Sequence, residues 1–284
     1  MLSFGLLLGA VSLAAQAAPA PMTLVGLVNL PGHKFALVNV AGRRPDSRPT
    51  ELLLKEHERW ESLEVVKILP ESGATELRHA GTNLVVTLPG AETNSPAPAL
   101  WLVGAGTTSV LATYGELAGR NLLRRPLLPD KTLTLRSTSG DKAEVAKLLS
   151  EALATKDIAV IPNGEKFAFI VPKQTTTFWQ TRIAESAPPA PSAADPAIVL
   201  AGNVVYLGAD LVTLAATYAE LSGRSINPAT WPPEIPRAQF SFKNQTALTK
   251  AEILYAYDRL FELCGLKMVP DGDKLLKPEL IGRK

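Results

Sequence analysis

Apolar residues recur on two different periods along this chain. In the first third, short runs rich in Val and Leu are bounded by Gly, Pro, Asn or Ser: TLVGLVNL, KFALVNVAG, ELLLKEH, LEVVKILPE, ATELRHAG and TNLVVTL. Such runs predict strands, and together they predict a small antiparallel barrel or sandwich over residues 22–89. Further on the spacing turns helical. Leu211, Leu214, Ala215, Tyr218 and Leu221 fall on one helix face, with Asp210 as N-cap and Gly223 suited to the left-handed stop. AQFSFKN alternates as a half-buried strand does. Thr249 and Glu252 form a capping box ahead of the stripe Ile253, Tyr257, Leu260, Phe261 and Cys264, and a hairpin turns at residues 271–273.

The same order is written once before. ATYGELAGR, from residue 112, returns as ATYAELSGR from residue 216. Windows 110–121 and 214–225 share seven identical positions, against roughly one for an unrelated pair. KAE returns 108 residues on, and so does VIPNGEK as MVPDGDK, whereas the first block returns after 104. The difference is an insertion near PATWPPEIPR, a proline-rich stretch that reads as loop. In the first copy Asp141 and Glu144 make the equivalent box, and Val145, Leu148, Leu149, Ala152 and Leu153 the equivalent stripe. Tyr114 and Gly119 correspond to Tyr218 and Gly223: the tyrosines are expected in the helix core, the glycines at the helix stop, and the Glu and Arg of the motif on the solvated face.

Two Pro- and Ala-rich stretches, PGAETNSPAPA and AESAPPAPSAADPA, read as extended linkers. The expected organisation is an α+β multidomain chain, with a small all-β domain at 22–89, a linker at 90–99, a βαββαββ domain at 100–172, a linker at 173–198 and a second βαββαββ domain at 199–278. The second linker is expected to let the two repeats tumble separately. Residues 1–20 are apolar and small, with AQA or APA as a cleavage signal. They predict an export signal, or a short apolar anchor giving weak membrane association, although no Lys or Arg precedes Lys34.

Composition narrows the chemistry. The formal charge of +2 over 284 residues points to no polyanionic partner. One cysteine, Cys264, builds neither a disulfide framework nor a thiolate metal site. KEHERWE holds His57 and Glu58 but lacks the second histidine of a zinc helix. GAGTTS, residues 104–109, faintly resembles a phosphate loop without its Gly-Lys-Ser/Thr ending. Gly-x-Ser-x-Gly is absent. Arg120, Arg124 and Arg125 form the densest basic cluster, with no interleaved aromatics and no GxxG clamp for nucleic acid. No catalytic, cofactor or metal residue is expected.

YLGADLVTLAATYAELSGRS and CGLKMVPDGDKLLK resemble the small N-terminal domains of secretins, the outer-membrane channels of type II secretion and type IV pilus machines. In the first copy the lead-in reads LVGAGTTSV. LVGLV, followed by WESLEVVKILPESGATELRHAGTNLVVTL, resembles the homology-region domain of general secretion pathway protein C and of its type IV pilus lipoprotein counterpart. The resemblances span about residues 23–88 and 105–278. A secretin would continue into a pore-forming β-domain, and protein C would begin with a membrane span. The resemblance therefore implies a non-enzymatic periplasmic adaptor that binds secretin or other secretion and pilus envelope proteins, with oligomerisation on a secretin ring compatible with it. It implies no cofactor and no nucleic acid. Its contact strand would be Leu24, Val25, Gly26, Leu27 and Val28, acting through an open sheet edge. A TonB-type ligand-binding or signalling module, and an enzyme with an inter-domain site, are the alternative readings.

Overall fold

The computed structural model describes residues 22–41, 49–91, 97–125, 128–190, 196–226, 231 and 239–281. The leader expected at 1–20, the centres of both Pro/Ala stretches and most of the proline-rich insertion lie outside the described residues. The protein is mixed α+β, with mostly small sheets and five helices among the described residues. No described helix is long and apolar enough to cross a membrane.

The first unit holds strands β1 (Met22–Leu30), β2 (His33–Val40), β3 (Thr50–Lys55), β4 (Arg59–Trp60), β5 (Leu63–Leu69), β6 (Ala74–His79) and β7 (Thr82–Thr87). The first copy of the repeat follows as β8 (Leu100–Gly106), α1 (Thr107–Ala118), β9 (Asn121–Arg124), β10 (Thr132–Ser137), α2 (Lys142–Ala154), β11 (Ile158–Asn163) and β12 (Phe167–Pro172). Helix α3 (Thr176–Glu185) comes next. The second copy is β13 (Ala197–Val199), β14 (Val205–Asp210), α4 (Leu211–Ser222), β15 (Ser225–Ile226), β16 (Gln239–Lys243), β17 (Leu248–Thr249), α5 (Lys250–Leu263), β18 (Leu266–Asp271) and β19 (Leu275–Leu280).

Of the barrel or sandwich expected at 22–89, no closed barrel is formed among the described residues. Strands β4 to β7 make one four-stranded sheet, while β1, β2 and β3 belong to a five-stranded sheet of order β10-β8-β1-β2-β3. That sheet is shared with the first repeat. Leu24, Leu27, Ala36 and Val38 face the four-stranded sheet; Val25, Val28, Phe35 and Leu37 face the repeat, beside Val110, Leu111 and Tyr114. Strands β1 and β2 are thus buried on both faces: one face closes the first unit's own core, and the other packs into the core of the first repeat.

The two repeats are also joined. Ala168 and Ile170 of β12 point into the first repeat's core, whereas Phe167, Phe169 and Val171 point into a core shared with Leu214, Phe242, Tyr257 and Phe261. Asn121, fully buried on β9, spans the junction: its amide nitrogen donates to Lys166 O at 2.9 Å and to Thr246 Oγ1 at 2.8 Å, and its amide oxygen accepts Gln245 N at 2.7 Å. Lys166 reaches the buried Glu252 at 2.8 Å. The segment expected as linker from residue 173 carries in its first half helix α3, whose Trp179 is buried with its ring 5.8 Å from Phe169. Independent tumbling of the repeats is excluded by this packing.

The repeated motif has a structural reason. Gly119 and Gly223 end α1 and α4 with φ of 61° and 71°. Past each stop the chain makes the same bonds: Arg120 N to Gly115 O and Arg224 N to Ala219 O, then Asn121 N to Lys166 O and Ser225 N to Lys274 O. The guanidinium groups are not solvated passengers. Arg120 Nη1 donates to the hairpin carbonyl of Gly164 at 2.5 Å, and Arg224 Nη1 to that of Gly272 at 3.3 Å. Each arginine ties its helix end to the distant hairpin, which is why motif and hairpin recur together. The capping boxes differ: Thr249 and Glu252 close theirs, whereas Glu144 accepts Ser139 Oγ at 2.6 Å and leaves Asp141 to cap α2 alone.

Candidate functional site

Strand addition is the most developed recognition geometry in the molecule, and it is used internally. Strand β1 runs antiparallel to β8, with Gly26 opposite Leu102, Leu27 opposite Trp101 and Val28 opposite Leu100. Asn29 N donates to Ala99 O at 2.8 Å. Space is tight at Gly26: a Cβ would meet Leu102 Cδ2 at 2.6 Å and Trp101 O at 3.3 Å, so Leu102 would have to move. The flank of α1 joins in. Glu51 of β3 accepts Gly106 N at 2.9 Å and Ser109 Oγ at 2.5 Å, and Lys55 pairs with Glu116 at 2.9 Å.

This corrects the expected contact strand. Leu24, Leu27 and Val28 are at most 1% exposed and Val25 only 7%, with β2 on one side of β1 and β8 on the other. From Gly26 to Asn29 its backbone has a strand on both sides, so this part of β1 offers no edge to an outside partner; the buried Leu24 pairs β2, and Val25 sits at the bulge between them. An open edge of the first unit is β7, which pairs only β6. Its sequence TNLVVT carries no charge, and Val85 is 66% exposed. The pairing register and the two-residue turn at Ala80 and Gly81 aim the peptide groups of Asn83, Val85 and Thr87 away from β6.

The other residues singled out in the sequence do not converge. The GAGTTS loop does open a helix, but the helix N-terminus, which favours an anion, already holds the Glu51 carboxylate. His33 stands beside Phe35, His57 sits in a turn with φ of 66°, and His79 Nδ1 lies 3.4 Å from Ser62 Oγ. Among the described residues no three His, Cys, Asp or Glu side chains are grouped to hold a metal ion. Arg120, Arg124 and Arg125 are all partly buried, and burial lowers the Arg124 pKa. Burial also pushes the Cys264 thiol up to about 11.

A polar cleft of about 440 Å³ lies between α3 and the second repeat, lined by Arg182, Tyr218, Asp258, Arg259, Glu262 and Lys267 among others. Glu262 accepts Arg182 Nε at 2.8 Å, and Arg259 Nη1 stands 2.7 Å from its other oxygen, an ion pair poorly angled for a hydrogen bond. Arg182 also reaches Glu185 at 2.9 Å. Burial raises the Asp258 pKa, against the hydrogen bond from Tyr218 and the charge of Arg259. Burial likewise raises the Tyr218 phenol. The carboxylates Glu262 and Asp258 are each engaged by partners from the cleft walls. The cluster works as a clamp holding α3 to α5, and nothing in the sequence marked it, because its members come from three separated segments. Tyr218 belongs to this cleft and is half-buried, whereas Tyr114, its counterpart, is 5% exposed in the core.

No protein-family model, no curated protein and no solved structure matches this chain.

Proposed function

We propose that the chain is a non-enzymatic periplasmic connector of a type II secretion or type IV pilus-like apparatus. In this reading residues 22–89 form a homology-region-like unit and the two copies that follow are secretin N-terminal-like βαββαββ units, binding secretin or inner-membrane partners. One observation carries it: β1 of the first unit adds antiparallel to β8 of the first repeat, with Glu51 and Lys55 reinforcing the contact. The sequence resemblance pairs these two domain types across the periplasm in separate proteins, and strand addition is a recognised mode of such contacts. Here the same kind of contact is built within one chain, which suits a connector that carries both halves of an interface.

The test is reciprocal. The chain, tagged at its C-terminus and expressed in its own host, is cross-linked in intact cells and purified from the envelope. A secretin, or an inner-membrane secretion or pilus protein, identified by mass spectrometry and capturing the chain in the reverse experiment, is the expected result. Deletion of the gene should impair secretion or piliation. Recovery from the cytoplasmic fraction, with secretion and piliation intact in the deletion strain, would overturn the assignment.

A further inference from the structure

The edge of β8 that β1 occupies has a counterpart in the second repeat. Strand β8 pairs β10 through Gly106 with Thr132, Ala105 with Leu133, a bulge, then Leu102 with Leu135 and Trp101 with Arg136. Strand β14 pairs β16 through Asp210 with Gln239, Ala209 with Phe240, a bulge, then Tyr206 with Phe242 and Val205 with Lys243. The bulges match in detail: Gly104 and Gly208 have φ of 61° and 69°, and their N–H groups donate to Thr134 Oγ1 and Ser241 Oγ. Val205 is thereby the equivalent of Trp101, the residue opposite Leu27.

In the first repeat that outer edge is filled; in the second, no strand among the described residues pairs with it. Asn244 N donates to Val204 O, so hydrogen bonding to β16 alternates past Val205 and leaves its N–H and C=O aimed outward. The adjoining helix flank follows the same rule. Ser109 is 3% exposed and Thr113 is fully buried beneath the first unit, while their counterparts are the exposed Thr213 and the half-buried Thr217. Glu116, held by Lys55, corresponds to the exposed Glu220. Ile198, Leu200, Val205 and Val212 add exposed large apolar side chains along the same stretch of chain, more than solvation favours on a free surface.

We propose that the outer edge of β14, with the flank of α4, is a second strand-addition site that takes an extended, uncharged segment of a partner protein running antiparallel to β14, as β1 runs along β8. The ladder selects an extended chain, since only a strand completes a row of peptide groups. The neighbouring apolar side chains select an uncharged one. One difference between the repeats fits this occupant. Asp210 caps α4 itself, accepting Thr213 N at 2.8 Å, so the partner need not bring the carboxylate that Glu51 supplies to α1.

The inference rests on the connector reading, and the test separates the two. The probe is a fluorescent, lysine-tagged synthetic peptide of sequence MTLVGLVNL, added to the full chain. Fluorescence anisotropy should show saturable binding, and hydrogen exchange should show slowing at the Val205 amide. Val205→Pro should weaken binding about tenfold or more while preserving the fold, because that N–H makes no bond to β16. Val85→Pro, on the β7 edge, should change it less than about twofold. Should Val205→Pro fail to fold, exchange at Val205 in the unaltered chain decides. Absence of binding, binding indifferent to Val205→Pro, or binding lost with Val85→Pro overturns the site. A captured secretin with no peptide binding would keep the connector and remove this site; peptide binding at Val205 without an envelope partner would do the reverse.

Discussion

Glu51 shows how a single residue can settle what a loop does. Gly106 has no side chain to cap α1, so the helix takes its cap from another unit. Glu51→Ala should cost about 1–2 kcal/mol, the range for a lost cap, read as a lower urea midpoint with unchanged slope. The tyrosines of the repeat divide likewise. Tyr114→Ala, in the core, should cost about 3 kcal/mol or more, and Tyr218→Ala distinctly less because Tyr218 is only partly buried. Equal losses would mean that the tyrosines are equivalent after all. Asp258 carries a pH signature. Its folded pKa is raised above the ordinary 3.8, burial being the main cause. Its stabilising contribution is therefore complete below that ordinary value and is lost as pH rises through the raised one. Asp258→Asn keeps an acceptor for Tyr218 and removes the titration. The variant's Tm advantage over the unaltered chain should be greater near pH 7 than near pH 4; a constant difference would place Asp258 in water.

At the scale of elements, helix α3 is the main departure from the sequence reading. Its sequence, TTFWQTRIAE, opens with two threonines of low helix propensity behind a third at the N-cap and leads into Pro and Ala, so it reads as linker. What makes it a helix is tertiary: Trp179 on Phe169, and Arg182 on Glu262. Trp179→Ala should cost about 3 kcal/mol or more and expose residues 173–190 to protease before the rest of the chain. Uniform digestion would deny α3 that role. The helices α1, α2, α4 and α5 were legible from apolar spacing, joined by side-chain caps at α2, α4 and α5 and by glycine stops at α1 and α4. A subtler signal went unread. LVGLV, FALV and FAFIV lack the alternation of AQFSFKN, and the strands that hold them, β1, β2 and β12, are buried on both faces. A continuous apolar run in a strand implies a packed layer on each face. That rule, applied to Leu24–Val28 in advance, would have predicted a second layer over β1, which the first repeat supplies.

Over the whole molecule, the Pro/Ala stretches did mark breaks between strands and helices, but not breaks in packing. Linker composition describes the segment itself; it is silent on whether flanking surfaces adhere. Here they do, through a shared sheet at one junction and a shared core with the Lys166–Glu252 pair at the other. A connector built this way would hold its binding edges at fixed spacing, as independent beads could not. The most direct test is ¹⁵N relaxation of the full chain, comparing amides of the first unit and of each repeat. The account predicts a single overall correlation time for all three. In Gly26→Val, where the new side chain would collide with Leu102, the first unit should gain a shorter time of its own while both repeats keep theirs in common. Two or three distinct correlation times in the unaltered chain would contradict the docked arrangement, and with it the internal strand addition on which the functional reading stands.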